Sequence, residues 1–258
     1  MRALVTNDDG IGSPGLAALV RSLSRVADTC VVAPDRERSA ASHAITLHKP
    51  LRATRVRIAD TSVPAWAANG TPADCVVVAV LDLMGARPDV VVSGINAGAN
   101  LGMDLHYSGT VSGAVEAALF GIPAMAISVT AFGNVHWEPA AAFAASLAQQ
   151  MARRGLPPDT ILNVNVPDLP AEAITGVEIT RQGARRYVNR LEKRVDPRGR
   201  DYYWLTGSTG GADGDVPPGT DARAVLEGRI SVTPLALDMT SDALATVIRS
   251  WTLTVPRP

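Results

Sequence analysis

The strongest constraint on the fold is a regular alternation along the chain, in which short apolar runs rich in valine and isoleucine are separated by longer stretches rich in alanine and leucine. Buried strands of a parallel sheet read as short apolar runs, and two parallel strands are usually connected by a helix. The predicted strands are residues 3–6, 29–33, 89–93, 124–129, 161–166 and, late in the chain, 230–235. The predicted helices are residues 15–26, 72–84, 111–120, 139–153 and 241–251. The pattern predicts an α/β protein with a mostly parallel sheet.

Two segments depart from this alternation. Residues 43–69 are irregular and strand-like, which indicates an antiparallel excursion. Residues 181–200 hold eight basic side chains against two acidic ones, and residues 207–220 are rich in glycine, aspartate and proline. Such a composition packs poorly into a sheet core, so we expect a β-rich arm or extended hairpin. The expected organisation is a core over residues 1–180, an arm over 181–235 and a C-terminal helix packed on the core over 236–258.

The composition argues against several classes of partner. A net charge of −1 gives no general attraction to nucleic acid or anionic membranes, and 4% aromatic residues argue against a stacking platform for single strands. The basic run at 181–200 fits either a polyanionic partner or a solvated or subunit-facing surface, which is the more usual role of such runs. Cys30 and Cys75 lie in apolar runs without CxxC spacing, so we expect buried thiols. With no signal peptide or membrane span visible, we expect a cytoplasmic protein.

Two adjacent carboxylates, Asp8 and Asp9, follow the first predicted strand in the sequence NDDG. Ligands of open α/β sheets bind outside the carboxyl ends of the strands. Adjacent like charges are costly unless solvent or a cation neutralises them, and Mg²⁺ or Mn²⁺ prefers oxygen ligands. An acidic turn or helix N-cap is the ordinary alternative. The pair is therefore a candidate site for one divalent metal ion.

The glycines directly after this pair suggest a different ligand. Gly10, Gly12 and Gly15 match the G-x-G-x-x-G pattern of dinucleotide-binding loops, and Asp35 follows about 20 residues later. The glycines begin after two carboxylates, however, and these would repel a pyrophosphate in the absence of a metal. An oxidoreductase that uses NAD(P) is thus one alternative for this loop, and a loop that merely directs the two carboxylates is the other.

Two further loops at strand ends carry polar groups. The loop after the second strand reads APDRERSAAS and offers the hydroxyl of Ser39. The loop at residues 93–110 is long and rich in glycine, and so long a loop in a compact domain is usually functional. It carries the amide of Asn96, and it ends in Ser108, Gly109 and Thr110 at a helix N-terminus, where free N–H groups favour an anion. Each residue alone could be an ordinary turn or cap, but together they suit metal-assisted phosphoester hydrolysis.

Six motifs in this chain together resemble those of the SurE family of nucleotidases. They are NDDG at 7–10, APDRERSAAS at 33–42, GTPADCV at 70–76, SGINAGANLGMDLHYSGTV at 93–111, NVNVPDLP at 163–170 and GTDARAVLEGRISVTPL at 219–235. The resemblance covers nearly the whole chain. The sequence departs from it at Ala40, where many members carry glycine, and at His106, where an aliphatic residue is common.

The resemblance implies a three-layer, Rossmann-like core and a divalent-metal-dependent phosphatase that acts on nucleoside 5′- and 3′-monophosphates through metal-activated water. By motif position it assigns the metal to four residues and the phosphate to one loop. The metal residues are Asp8, Asp9, Ser39 and Asn96, of which Asp8, Asp9 and Asn96 are also the expected catalytic residues. The substrate-binding loop is Ser108, Gly109 and Thr110. It further implies a homodimer or homotetramer joined through the C-terminal arm.

Several alternatives remain open from the sequence. The general acid is not assigned; His43 and His106 lie near the loops in sequence, but a lone histidine is more often structural, and Asp104 is at most a supporting partner. Asp9 could attack phosphorus itself, although shared metal ligation is its simpler role. Three hypotheses for the function therefore remain: a nucleotidase, an NAD(P)-dependent oxidoreductase and a non-catalytic nucleotide-sensing module.

Overall fold

A computed structural model describes residues 1–131, 135–184, 187–209 and 216–255, with the backbone alone at 187–189 and 206–209. Eleven strands lie in these ranges: β1 (Arg2–Thr6), β2 (Asp28–Pro34), β3 (Ala53–Val56), β4 (Ala65–Ala68), β5 (Val90–Ala97), β6 (Ala124–Val129), β7 (Thr160–Val166), β8 (Gly176–Ile179), β9 (Tyr187–Val195), β10 (Asp201–Thr209) and β11 (Arg229–Ala236). The α-helices of the same ranges are α1 (Pro14–Leu23), α2 (Pro72–Val78), α3 (Gly109–Leu119), α4 (Trp137–Arg154), α5 (Asp221–Leu226) and α6 (Asp242–Ile248). None of these helices is both long and apolar enough to cross a membrane.

One mixed sheet forms the centre of the molecule. Its strand order is β3-β4-β2-β1-β5-β6-β7-β11-β8, and the six strands from β4 to β7 are parallel. The chain runs from β1 outwards to β2 and β4, then returns to place β5 on the other side of β1. The strand order therefore reverses between β1 and β5, which is the position where open α/β sheets bind ligands. These strands confirm the predicted α/β class and its mostly parallel sheet.

Two apolar layers cover the sheet, one on each face. Side chains of β1 alternate between them, since Ala3 and Val5 pack towards α1 and α4 while Leu4 packs towards α2 and α3. This alternation follows from the two-residue period of a strand. Both layers are continuous clusters of buried aliphatic residues, so the sheet is a rigid support for the loops at its edge.

The predicted helices and strands agree with the structure to within a few residues, with two local differences. The helix predicted over residues 72–84 is α2 followed by a π-helical turn, Ala79–Leu83. Its start is the predicted one, because Thr71 caps it and Asp74 completes a capping box. Strand β5 continues four residues beyond the predicted 89–93 segment, through a register shift between Ser93 and Asn96. The apolar pattern stops at residue 92, so the sequence does not reveal this extension.

The segments outside the alternating pattern form sheet edges and a hairpin. Within residues 43–69, β3 pairs antiparallel with β4, and β4 joins the main sheet beside β2. Strands β9 and β10 pair only with each other. The expected arm boundary at residue 235 falls inside β11, which lies in the main sheet between β7 and β8 because its buried face continues the core. Helix α6 has no buried residue in this single chain.

Candidate metal and phosphate site

Three loops meet at the carboxyl edge of the sheet, and backbone hydrogen bonds join them. The N–H of Arg38 donates to the Asp8 carbonyl at 2.7 Å, which fixes the loop after β2 against the loop after β1. The N–H of Ala97 donates to Oδ2 of Asp9 at 3.2 Å, which fixes the end of β5 against the same loop. The residues next to Ser39 and Asn96 in the chain therefore contact the Asp8–Asp9 pair directly.

Asn7 and Ser13 fix the backbone of the turn that carries the two carboxylates. The buried Asn7 side chain donates to the Gly10 carbonyl at 3.0 Å and to Oγ of Ser13 at 2.9 Å, and it accepts from the N–H of Gly10. Ser13 in turn caps α1 through the N–H of Leu16. These bonds fix the backbone of the tight turn that carries Asp8 and Asp9.

Asp8 is buried against the first turn of α3. The hydroxyl of Thr110 donates a short hydrogen bond to its Oδ1, and an added Cβ at Gly109 would lie only 2.8 Å from the Cβ of Asp8. Burial raises the pKa of Asp8, while the Thr110 hydroxyl and the backbone N–H groups of Gly109 and Thr110 oppose that rise. The helix N-terminus stabilises the charged carboxylate, and Gly109 is required because no side chain fits there.

Asp9, the next residue, is half-buried. It lines a cavity of about 440 Å³ on the side of the sheet covered by α1 and α4. Burial is the larger cause and the negative charge of Asp8 the next, and together they raise the pKa of Asp9 from its ordinary 3.8 to about 6. The hydrogen bond from the N–H of Ala97 acts in the opposite direction and lowers this pKa. An elevated pKa in a carboxylate beside a like charge indicates a place where a cation would be stabilising.

Ser39 lies in an exposed loop that docks on the helix α3 region. Its hydroxyl donates to Oε1 of Glu37 at 2.5 Å, so its lone pairs remain available to a cation. Beyond it, the Ser42 hydroxyl donates to the His106 carbonyl at 2.8 Å. His43 pairs with Glu116 of α3 at 2.7 Å. This pairing gives His43 a structural role in docking the loop.

Asn96 lies at the end of β5 and is half-buried. Its Nδ2 donates to the carbonyl of Gly98 at 2.8 Å, which orients the amide and leaves its oxygen as the group to offer to a cation. In the described ranges no three His, Cys, Asp or Glu side chains are grouped as metal ligands. The Ser39 hydroxyl and the Asn96 amide follow or precede in the chain the residues Arg38 and Ala97, which bond the Asp8–Asp9 pair. The two carboxylates, the hydroxyl and the amide oxygen are all hard oxygen donors, and the set fits Mg²⁺ or Mn²⁺.

Ser108, Gly109 and Thr110 lie together at the start of α3, as the sequence predicts. Ser108 caps the helix, since its Oγ accepts from the N–H of Val111 at 3.1 Å. Gly109 and Thr110 follow and are buried. Because the Thr110 hydroxyl bonds Asp8, this turn couples the carboxylate pair to the place where the helix favours an anion.

A buried amide network that was not predicted from the sequence anchors the glycine-rich loop. Asn100 donates from its Nδ2 to Oγ of Ser128 at 2.8 Å, and its N–H donates to Oδ1 of Asn165 at 2.9 Å. Its carbonyl accepts from the side chains of Asn163 and Asn165, both at 2.9 Å. The signal available in the sequence was NVNV in β7, where two asparagines alternate with valines in a buried strand.

Asp221 anchors the same loop from the C-terminal part of the chain. It is fully buried, and its Oδ2 accepts from the N–H of Gly102 at 2.8 Å. Its Oδ1 accepts from the N–H groups of Gly183 and Ala222 at 2.9 and 2.8 Å. A carboxylate with three backbone donors is a strong tether, so residues far apart in sequence hold the loop between Asn96 and α3.

The three glycines of the dinucleotide-like motif serve different purposes here. An added Cβ at Gly15 would lie 2.2 Å from the carbonyl oxygen of Ile95, so this glycine permits α1 to pack closely on β5. Gly10 has a φ of +94° and lies against the backbone of Arg36. An added Cβ at Gly12 would contact no atom within 4 Å. Two of the three glycines are thus explained by the packing of the chain itself.

Comparisons with known proteins point to one family. The family model described as "Survival protein SurE" matches residues 3–189. A "5'-nucleotidase SurE" from Geobacter sp. (strain M21) is 53% identical over 98% of this chain and 100% of its own, and one from Moorella thermoacetica is 54% identical over 93% and 92%. The crystal structure of the SurE protein from Aquifex aeolicus superposes with a TM-score of 0.82 at 42% identity, covering 96% of this chain and 98% of that one.

The curated relatives match over nearly the full length of this chain and share one activity name. Neither the NAD(P)-dependent oxidoreductase nor the nucleotide sensor finds support among the matches. Because the family model covers well over half of the chain and the relatives are about half identical to it, the chain belongs to the SurE family.

Proposed function

We propose that this protein is a divalent-metal-dependent phosphomonoesterase that hydrolyses nucleoside 5′-monophosphates, and also 3′-monophosphates, to nucleoside and phosphate. The observation that carries the proposal is the Asp8–Asp9 pair, with Asp8 against the N-terminus of α3 and Asp9 facing a cavity. Membership of the SurE family, in which close relatives bear the name 5′-nucleotidase, supports the same reaction class.

Asp8, Asp9, Ser39 and Asn96 would hold one Mg²⁺ or Mn²⁺ ion. A divalent cation supplies positive charge to the phosphoryl oxygens in the transition state and acidifies an attacking water. The protein's own contribution is to hold two carboxylates at fixed directions through Asn7 and Thr110, and to supply an amide and a hydroxyl on neighbouring loops.

The phosphate would bind at the first turn of α3. Helix α3 is eleven residues long, and the N–H groups of Gly109 and Thr110 in its first turn, which face the Asp8 carboxylate, favour an anion at this place. The Ser108 hydroxyl accepts from Val111 and keeps its own proton for donation to a phosphate oxygen. This placement puts the phosphate beside Asp8, whose chain neighbour Asp9 lines the cavity.

The hairpin and the C-terminal helix would join subunits into a homodimer or homotetramer. Large apolar side chains are exposed on both in the single chain, including Trp204 and Leu205 on β10 and Leu244 and Trp251 in the C-terminal segment. Surfaces of this kind mark protein–protein contacts, which supports an oligomerisation role for the hairpin and for the C-terminal segment.

Phosphate release from a panel of nucleoside monophosphates, with Mn²⁺ or Mg²⁺ and then with EDTA, tests the proposal. We expect release that requires metal, stops with EDTA and returns when metal is restored. Asn96→Ala should lose this activity, whereas Asp60→Asn, an exposed position in the turn after β3, should retain it. Nucleotide binding without release at any metal concentration would instead indicate a sensor and refute the enzyme.

A further inference from the structure

We infer that the cavity of about 440 Å³ beside Asp9 is the subsite for the nucleoside half of the substrate, and that Gly12 and Trp137 determine which nucleosides it accepts. This inference rests on the proposed nucleotidase function, because it assumes that the phosphate binds at Asp8, Asp9 and the start of α3. The volume lies within the range of about 300 to 1,000 Å³ typical of small-molecule sites.

The first supporting observation is that the cavity lies next to the carboxylate pair. Asp8 bonds the first turn of α3 and the adjacent Asp9 lines the cavity, so the carboxylate pair adjoins both the phosphate turn and the cavity. Ala97, whose N–H bonds Asp9, also lines the cavity. A phosphomonoester bound at the carboxylate pair would therefore extend its leaving group into this space.

Gly12 is the cavity residue whose small size the protein itself does not require. Its φ lies outside the left-handed region, and an added Cβ would contact no protein atom within 4 Å. The other two glycines of the loop are fixed by close contacts with backbone atoms, as described above. A side chain at residue 12 would instead enter open space at a residue that lines the cavity, so its absence leaves room for a ligand.

Trp137 gives the cavity an aromatic wall. It is the first residue of α4, it is half-buried, and its ring packs on Gly15, where an added Cβ would lie 2.7 Å from Cζ3. This contact holds the indole in place as part of the cavity lining. A fixed aromatic ring in a site for nucleotides suits stacking on a base, since every base presents a π face.

The polar lining suits a sugar. Asp35 and Glu37 lie on the cavity wall with Arg36 between them in the sequence, and all three are exposed. Carboxylates accept hydrogen bonds from vicinal hydroxyls such as those of ribose, while the guanidinium of Arg36 offsets part of the negative charge. The cavity thus offers an aromatic surface for the base and carboxylates that accept hydrogen bonds from the ribose hydroxyls. It also adjoins Asp9, beside which the phosphate would bind, so it suits the nucleoside half of the substrate.

The test compares AMP with ribose 5-phosphate, which carries the same phosphate and sugar but no base. We expect Gly12→Leu and Trp137→Leu each to lower kcat/KM for AMP relative to that for ribose 5-phosphate by about tenfold, the size expected when one stacked base is lost. Trp66→Phe, in the edge strand β4, is the matched control for tryptophan loss and should leave the ratio unchanged. An equal loss for both substrates, or no loss, would overturn the inference.

A binding experiment separates this inference from the proposed function. Adenosine lacks a phosphate and needs no metal, so its quenching of tryptophan fluorescence in EDTA reports the cavity alone. We expect quenching in the wild type and in Trp66→Phe, and its loss in Gly12→Leu, which retains all four tryptophans. If no nucleotide were hydrolysed but Gly12→Leu still abolished the quenching, the nucleotidase would be refuted and the nucleoside subsite retained. Quenching that persists in Gly12→Leu would refute the subsite.

Discussion

Replacing Asp9 by Asn should make the metal-free protein more stable while abolishing its activity. In the folded protein the pKa of Asp9 is raised from 3.8 to about 6, first by burial and then by the charge of Asp8. Ionising this carboxyl in the folded state therefore costs free energy that the unfolded chain does not incur. Asn has the same shape, and its oxygen can still accept the N–H of Ala97.

The magnitude follows from the shift. Two pKa units correspond to a ceiling of roughly 3 kcal/mol, and the partial exposure of Asp9 reduces this to about 1–2 kcal/mol through solvent screening. Below pH 3.8 both states bind the proton, so the carboxyl has no effect there. Between pH 3.8 and about 6 the folded state alone keeps the proton, so the destabilisation grows as the pH rises and is constant above that window.

Urea denaturation of the wild type and Asp9→Asn in EDTA, at pH 7.5 and at pH 4, measures this effect. We expect the variant to be more stable by about 1–2 kcal/mol at pH 7.5, with most of the difference gone at pH 4. Asp60→Asn, at an exposed turn position with a φ of 60° that asparagine tolerates, should show neither effect. The reasoning is refuted if Asp9→Asn is less stable than the wild type at pH 7.5, or if its gain is the same at both pH values.

Metal addition should reverse the order of stability. A ligand at 100 times its Kd stabilises the folded state by about 2.7 kcal/mol, so Mn²⁺ should raise the unfolding free energy of the wild type and not that of Asp9→Asn. Equal stabilisation of the two proteins by Mn²⁺ would place the metal elsewhere.

Three further outcomes are expected. Thr110→Val should lower unfolding free energy by about 1.5–3 kcal/mol and reduce phosphate release, because Asp8 loses a charge-assisted hydrogen bond; Thr110→Ser should restore both. Ala40→Gly should raise unfolding free energy by about 1 kcal/mol, measured by urea denaturation, because Ala40 has a φ of 56°; a lower stability would contradict this conformation. Asp221→Asn should cost about 2–3 kcal/mol and lower kcat, since an amide N–H₂ would face backbone donors; unchanged kcat would show that the tether does not position the loop.

The sequence predicted the sheet well where one physical rule dominates. Buried parallel strands have no polar face, so β1, β2 and β6 stand out as apolar runs. Thr71 and Ser108 mark helix starts because their side chains satisfy free N–H groups. The arm was predicted less well. Strand β11 pairs in the main sheet, and that pairing depends on a partner strand more than sixty residues earlier.

The sequence by itself determined which groups are available at the site: two carboxylates, an amide, a hydroxyl and a helix start, each directly after a strand. Only the tertiary structure decided how they are arranged, because the contacts that orient them join residues distant in the chain. Asp8 receives its hydrogen bond from Thr110, the loop that carries Asn96 is held by Asp221, and Gly12 faces a cavity that Trp137 lines. Local patterns report backbone propensity and burial, whereas these directions depend on how the packed layers bring separate loops together at one edge of the sheet.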